Sequence, residues 1–307
     1  MRLFKNANYR FLGLRRRAYL VSVALIAVGF LVLAVRGGYQ FGVDFTGGTR
    51  IHVSFSQPTD AAAIRAALQT GSVEGAELQA FGGDGDYVIR VGSLTVESGE
   101  EALAVVGSAL DAAFGAEAWN IEDSDAVGPK VGAELRTRAL LAVLASFVLT
   151  LVYLAFRFEW RFGIAAVVAT IHDILVTFGF LAVFNIEVTL ATVAAILTII
   201  GYSLNDTIVV FDRVRENLKK RRKETYTSVL DSSINETLPR TVLTSASTLV
   251  TLTALFVLGG AVIRPFAGVL ILGVLIGTYS SIFVASPVLQ EIEDYTYRKE
   301  HGRSAGG

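Results

Sequence analysis

The sequence predicts an α-helical polytopic membrane protein of six transmembrane helices, with one α+β domain inserted between the first two and placed outside the cytoplasm. Three observations lead there. Of the 307 residues, 52% are hydrophobic and only 18% charged, with a mean hydropathy of +0.53, which is the balance of a chain dissolved largely in lipid. Apolar stretches of bilayer length, about 20 residues, recur six times. The long segment after the first of them has the charge and periodicity of a water-facing domain.

Taken in order, residues 1–17 form a basic N-terminus and residues 18–36 the first span. This span is expected to stay in the protein: its apolar run exceeds the roughly 7–15 residues of a signal-peptide core, and it ends in Val35-Arg36-Gly37 without an A-x-A site. The remaining spans fall at 136–156, 162–184, 189–211, 239–260 and 266–288. Residues 212–238 read as a charged, helical cytoplasmic loop and 289–307 as a tail. Basic clusters at Arg2 to Arg17, Arg157 with Arg161, Arg213 to Lys223, and Arg298 to Arg303 all lie on one side of this topology. The turns "NIEV" (185–188) and "GGAVIR" (259–264) lie on the other. By the positive-inside rule both termini are cytoplasmic. The basic run near residue 220 is expected to meet anionic lipid, not nucleic acid.

The insert, residues 37–135, carries four basic side chains against fifteen acidic ones and no spanning stretch. Ile51, Val53 and Phe55 alternate as a strand, and Thr59 is expected to cap a helix with Ile64, Ala67 and Leu68 on one face. "ELQAF" (77–81) and "DYVIRV" (86–91) flank the turn-rich "GGDGD" as a hairpin. Ser98 and Glu101 read as a capping box opening a helix with Leu103, Val106, Leu110 and Phe114 on one face and Gly115 as its stop. "AWNIED" (118–123) supplies the last strand. The order βαββαβ predicts a ferredoxin-like sandwich. "FTGGT" (45–49) precedes a strand, not a helix, so it is not a phosphate cradle. The scattered carboxylates read as a solvated surface.

Enzyme, redox and metal chemistry find no footing. There is no cysteine, and His52, His172 and His301 show neither H-x-x-x-H nor E-x-x-H spacing. No cofactor is expected beyond a coupling ion, H⁺ or Na⁺.

The informative residues are the polar ones within the spans, because a charge at the bilayer centre costs on the order of 2.5–3.5 kcal/mol on insertion scales. Asp173, preceded by His172, is the most deeply placed carboxylate. The two are adjacent and diverge by about 100° on a helix, so a bond between them is not assumed. Asp206 lies about six residues, or about 9 Å at 1.5 Å per residue, from its span's midpoint, with Asn205 beside it and Tyr202, Ser203 and Val210 at helical spacing. In the fifth span Pro239 suits a first helical position. Arg240 follows, then a hydroxyl stripe of Thr241, Thr244, Ser245, Thr248 and Thr251. Asp206 and Arg240 stand at similar depth on opposite-running helices, so an ion pair beside that stripe is allowed; helix packing and interfacial snorkelling explain the same residues more plainly. Asp212, Arg213 and Arg215 read as interfacial charges, and Gly273-x-x-x-Gly277 as a close-packing motif.

Five ordered blocks carry a resemblance over nearly the whole chain: "FGVDFTGGT" (41–49), "VGPKVGAEL" (127–135), "HDIL" (172–175), "GYSLNDTIVVFDRVREN" (201–217) and "ETLPRTVLTS" (236–245). In them the chain resembles the SecF members of the SecD/SecF family, within the resistance-nodulation-division superfamily. The resemblance implies a six-span half that works with a SecD partner beside the SecYEG translocon and its accessory insertion factors in the bacterial cytoplasmic (inner) membrane. There it would use the proton or sodium motive force to complete translocation of unfolded preproteins. It implies coupling-ion passage at Asp206 and Arg240. Asn205 stands beside them, and Asp173, His172, Thr244 and Thr248 complete the candidate set. Two other readings stand beside this one: a small-molecule or lipid exporter of the same superfamily, and a passive translocase scaffold.

Overall fold

A computed structural model describes residues 7–73, 75–80, 85–92 and 98–302. Arg2, Lys5, Phe81, the turn residues 82–84 and Arg303 lie outside the described residues. In chain order the helices and strands are α1 (Arg15–Arg36), α2 (Val43–Thr46), β1 (Gly48–Phe55), α3 (Ala61–Thr70), β2 (Glu77–Ala80), β3 (Asp86–Val91), α4 (Gly99–Phe114), β4 (Trp119–Val127), α5 (Pro129–Arg157), α6 (Trp160–Phe184), α7 (Leu190–Lys220), α8 (Tyr226–Leu258), α9 (Gly260–Ser280) and α10 (Ser286–Gly302). One π-helical stretch, Ser281–Ala285, joins the last two. Six helical segments among the described residues are long and apolar enough to cross a membrane.

The chain divides into two units, one of residues 1–39, 143–186 and 191–307, the other of 40–142 with 187–190. In the second unit the four strands form an antiparallel sheet in the order β2-β3-β1-β4. The period-2 pattern of β1 works as expected. Ile51 and Val53 are fully buried and pair across to Ile89 and Tyr87 of β3. Ile64, Ala67 and Leu68 from α3 and Val106 and Leu110 from α4 close over the same face, and Phe114 meets Phe55 edge-on at 5.3 Å. Gly115 ends α4 at φ 86°. Ser98 caps α4, accepting from the Glu101 N–H at 3.2 Å.

Thr59 does not cap α3. The cap is Asp60, whose carboxylate accepts from Ala62 N–H at 3.1 Å, while the Thr59 hydroxyl donates back to Gln57 O. A carboxylate is the better acceptor for the orphan N–H groups of a first turn, and α3 starts one residue later than Thr59 allows. The insert's carboxylates that form ion pairs stay largely exposed, Asp125 at 51% and Glu77 at 74%. Arg50 pairs with Asp125, and Arg90 pairs with Glu77 at 3.2 Å and with Glu187 of the "NIEV" turn. Burial pulls the Arg90 pKa below its ordinary value, with Glu77 opposing the shift. That turn is docked by main chain as well: Gly42 N–H donates to Val188 O at 2.9 Å and Val188 N–H to Gln40 O at 2.8 Å. Asp44 accepts from Leu190 N–H, capping the start of α7 at 2.8 Å.

In the first unit α1 lies along α6, α9 packs on both α6 and α8, and α10 returns to α6. Close approach is set by glycine. A Cβ on Gly277 would stand 2.9 Å from Ser203 Cβ, and one on Gly273 would overlap Ile199. The expected G-x-x-x-G packing is therefore between α9 and α7. Residues 212–238, expected as one surface helix, are instead the ends of two long helices. α7 runs on to Lys220, supported by Lys220 with Glu216 at 2.5 Å and Arg213 with Glu216 at 2.7 Å, pairs at the spacing that stabilises a helix. α8 opens at Tyr226 under a Thr225 cap that accepts from Ser228 N–H at 3.3 Å. Pro239 is accordingly not a first-turn residue: it lies well inside α8. Helices in membranes tolerate this where neighbouring groups satisfy the freed backbone.

Candidate functional site

Two polar centres lie within the first unit. The first is built around Asp173 of α6, which is 1% exposed. Its Oδ2 accepts from Ser280 Oγ of α9 at 2.8 Å and from Ser203 Oγ of α7. Oδ1 meets His172 Nδ1 at 2.9 Å. The adjacent pair therefore does bond. A 100° offset between Cα–Cβ directions is bridged when both side chains are buried and the imidazole folds along the helix surface. His172 Nε2 continues to Ser22 Oγ of α1 at 3.0 Å, and Ser22 meets Tyr279 OH at 3.1 Å, which donates to Ala18 O at 2.8 Å. One carboxylate thus connects four helices through a fully bonded chain, the arrangement a buried charge or acid requires.

Ser203 belongs to this centre, not to the surroundings of Asp206 where the helical spacing had placed it. Ser22, Tyr279 and Ser280 were not singled out from the sequence. The signal was present only as isolated hydroxyls in apolar runs, "YLVSV" and "GTYSS". The π-helical turn begins next to Ser280, and Ser286 Oγ donates to Ser281 O at 3.0 Å across it. Such turns often accompany functional sites.

The second centre lies one turn further along α7. Asp206 is 3% exposed, yet its Oδ2 is buried without a hydrogen-bond partner, and so is Thr241 Oγ1 of α8. Arg240, next to Thr241, acts on Asp206 through its charge but makes no hydrogen bond or ion pair among the described residues. The side chain of Arg240 is exposed, as is that of Asn205, which points away from its buried neighbour. Two residues of the hydroxyl stripe are turned onto their own helix. Thr248 donates to Thr244 O at 3.0 Å and Thr251 to Ser247 O at 3.3 Å. Thr248 also accepts from Tyr202 OH at 3.4 Å, and Ser245 meets Thr278 of α9 at 2.6 Å. Asp212 is paired, with Arg157 and more distantly with Arg215 at 3.9 Å.

A buried carboxylate oxygen without a donor costs on the order of a few kcal/mol. An arginine that acts on it by charge without closing a bond is an arrangement with a second state available: a proton, a small cation or the guanidinium itself can each satisfy the carboxylate. The Asp173 centre has no such vacancy, since both its oxygens are engaged.

Comparison with known proteins agrees over nearly the full length. A family model described as protein export membrane protein SecD/SecF, C-terminal, matches residues 108–295, and one described as the SecD/SecF GG motif matches residues 40–59. A protein translocase subunit SecF from Gemmatimonas aurantiaca is 50% identical over 299 residues, covering 95% of this chain and 90% of its own length. Another from Desulfurispirillum indicum is 40% identical over 284 residues, covering 91% and 90%. The crystal structure of SecDF, a translocon-associated membrane protein from Thermus thermophilus, superposes with a TM-score of 0.85 at 35% identity, over 96% of this chain and 40% of the SecDF chain. The chain thus spans less than half of that longer protein. On its sequence, its six apolar helices and its fold, the chain belongs to the SecD/SecF family of protein-export membrane proteins, as a SecF-type protein translocase subunit.

Proposed function

We propose that the chain pairs with a SecD half beside SecYEG in the bacterial inner membrane, with both termini cytoplasmic. There it uses the proton or sodium motive force to draw preproteins outward late in translocation. The observation that carries this reading is the buried, unbonded Asp206 carboxylate in the field of an uncommitted Arg240. The sheet order β2-β3-β1-β4 with α3 and α4 on one face supports a ferredoxin-like extracytoplasmic insert that accompanies the emerging polypeptide. No covalent chemistry is involved: ion binding at Asp206 changes which partner satisfies it, and each state favours a different packing of α7 against α8. One charge crossing the full field is worth about 2.3 kcal/mol per 100 mV, enough to shift a two-state equilibrium more than tenfold. Thr244 and Thr248 would line the ion's approach, while Asp173 and His172 hold the frame.

The test is flux and voltage-dependent export in proteoliposomes holding the chain with its SecD partner and the translocon. Asp206→Asn and Arg240→Met are expected to leave the complex assembled and abolish voltage stimulation; wild-type rates from both overturn the reading. Replacing sodium by choline at fixed pH identifies the ion.

A further inference from the structure

Arg240 has a second carboxylate within reach. Glu236 precedes it by four residues on α8, the spacing at which side chains on one helix face are neighbours, about 5–6 Å apart at Cβ, and at which Glu before Arg is the favourable order. The two do not pair. Glu236 is held from the other side by α7 and the residue that follows it: its Oε1 takes Arg221 Nη2 at 2.8 Å, and its Oε2 takes Asn217 Nδ2 at 3.1 Å and lies 3.5 Å from Arg213 Nε. Buried Asn217 is itself fixed by Ser233 at 3.0 Å. The result is asymmetric. Arg240 acts by its charge on a carboxylate with an empty oxygen, Asp206, and stands at helical spacing from a carboxylate with both oxygens occupied, Glu236.

From this geometry we infer that Glu236 is a positioning residue for the coupling step, the cytoplasm-facing alternate partner of Arg240, which the Arg213–Asn217–Arg221 clamp keeps from capturing it. The inference rests on the ion-coupling reading of Asp206 and adds to it a named competitor. When the coupling ion occupies Asp206, Arg240 is displaced and Glu236, four residues back on the same helix, receives it. When the ion leaves, the clamp on Glu236 keeps Arg240 free to act on Asp206 through its charge. The charged groups around this exchange are few. Asp206 faces Arg240 of α8. On α6 the pair His172–Asp173 is engaged by Ser22, Ser203 and Ser280. The sequence of α9 has one charged residue, Arg264, which donates to Phe256 O. Glu236 pairs with Arg213 of α7 and with Arg221 just past its end, stands four residues before Arg240 on its own helix, and shares Arg213 with Glu216, which lies 2.7 Å from it.

The exchange predicts effects of opposite sign. Glu236→Gln removes the competitor, leaves the Arg240 charge longer in the field of Asp206, and raises the ion concentration needed for half-maximal flux by about three- to tenfold, the scale of one neighbouring charge. Arg221→Gln releases Glu236 to take Arg240, and lowers that concentration by a similar factor. The measurement is ion flux in proteoliposomes of the assembled complex against pH or sodium, whichever ion the wild type carries. Arg213→Gln loosens the same clamp and serves where Arg221→Gln fails to assemble. A merely structural role predicts shifts of one sign for all three variants, because each loosens the α7–α8 junction. Shifts of one sign, or none, overturn the inference. In the same assay, wild-type flux that persists in Asp206→Asn overturns the ion-coupling reading instead, so the two failures are distinct.

Discussion

Ser203 and Asp206 sit one turn apart on α7 and meet opposite fates: the Ser203 hydroxyl donates to the Asp173 carboxylate, whereas the Asp206 Oδ2 is buried and meets no donor. The first contact fixes the helix in place. The second leaves it with an unsatisfied group in an apolar medium, three residues away.

Removing the fixing contact should cost stability directly. Ser203→Ala strips one donor from a buried carboxylate and is expected to destabilise the bundle by about 1–3 kcal/mol. Asp173→Leu, which orphans His172, Ser203 and Ser280 together, is expected to cost more. Thermal unfolding in nanodiscs, followed by tryptophan fluorescence or circular dichroism, reads both; unchanged midpoints would show that the hydroxyl chain is not holding the helices.

Removing the unsatisfied group should do the reverse. Asp206→Leu deletes a buried carboxylate without a partner, and replacing such a group by an apolar one is often stabilising by about 1–4 kcal/mol. The variant is expected to unfold at higher temperature than wild type while losing ion flux. A lower midpoint would mean that Asp206 is bonded in a way the geometry does not contain.

The Arg90–Glu187 pair, from the insert to the "NIEV" turn, joins two well-covered side chains, 12% and 18% exposed. Arg90→Met is expected to cost about 3 kcal/mol, the lower end for breaking a buried pair. Adding Glu187→Leu should recover more than half of that. Limited proteolysis of the complex compares the single and double variants, and a double variant as labile as the single one would deny the coupling.

Gly48 is required by shape. It sits at φ 118°, and a Cβ there would stand 2.5 Å from Val91 O. Gly48→Ala is expected to cost about 1–3 kcal/mol in backbone strain alone, plus displacement of β1 from β3. Slower exchange-out of the β1 amides in the wild type than in the variant, measured by hydrogen–deuterium exchange, checks it.

Much of this was legible in the sequence, for reasons of scale. Bilayer-length apolar runs and period-2 alternation are summed over many residues, so the six candidate spans and the strand β1 emerge whatever any single side chain does. Asp173 and Asp206 stood out because a carboxylate in lipid needs an explanation. Their partners did not, since Ser22, Ser203 and Ser280 lie 151, 30 and 107 positions from Asp173 and only the packing of four helices brings them together. The His172–Asp173 bond was hidden by reasoning from backbone directions without the reach of the side chains. Pro239 misled in the same way: its missing N–H marks a helix start only where the preceding turn has no other support. Here α8 already begins at the Thr225 cap.

That proline has a mechanical meaning. Below it, α8 is fastened to α7 through Ser233 and Glu236 and to the N-terminal segment through Asn235, which both accepts from and donates to the Tyr9 backbone at 2.9 and 2.8 Å. Above it, α8 is fastened to α9 through Ser245 and Thr278. The helix is therefore an elbow with each limb bolted to a different neighbour, and the joint falls between Glu236 and Arg240. A few degrees of flexion there changes the reach from guanidinium to either carboxylate without breaking a backbone bond, because the bond that would resist it was never made.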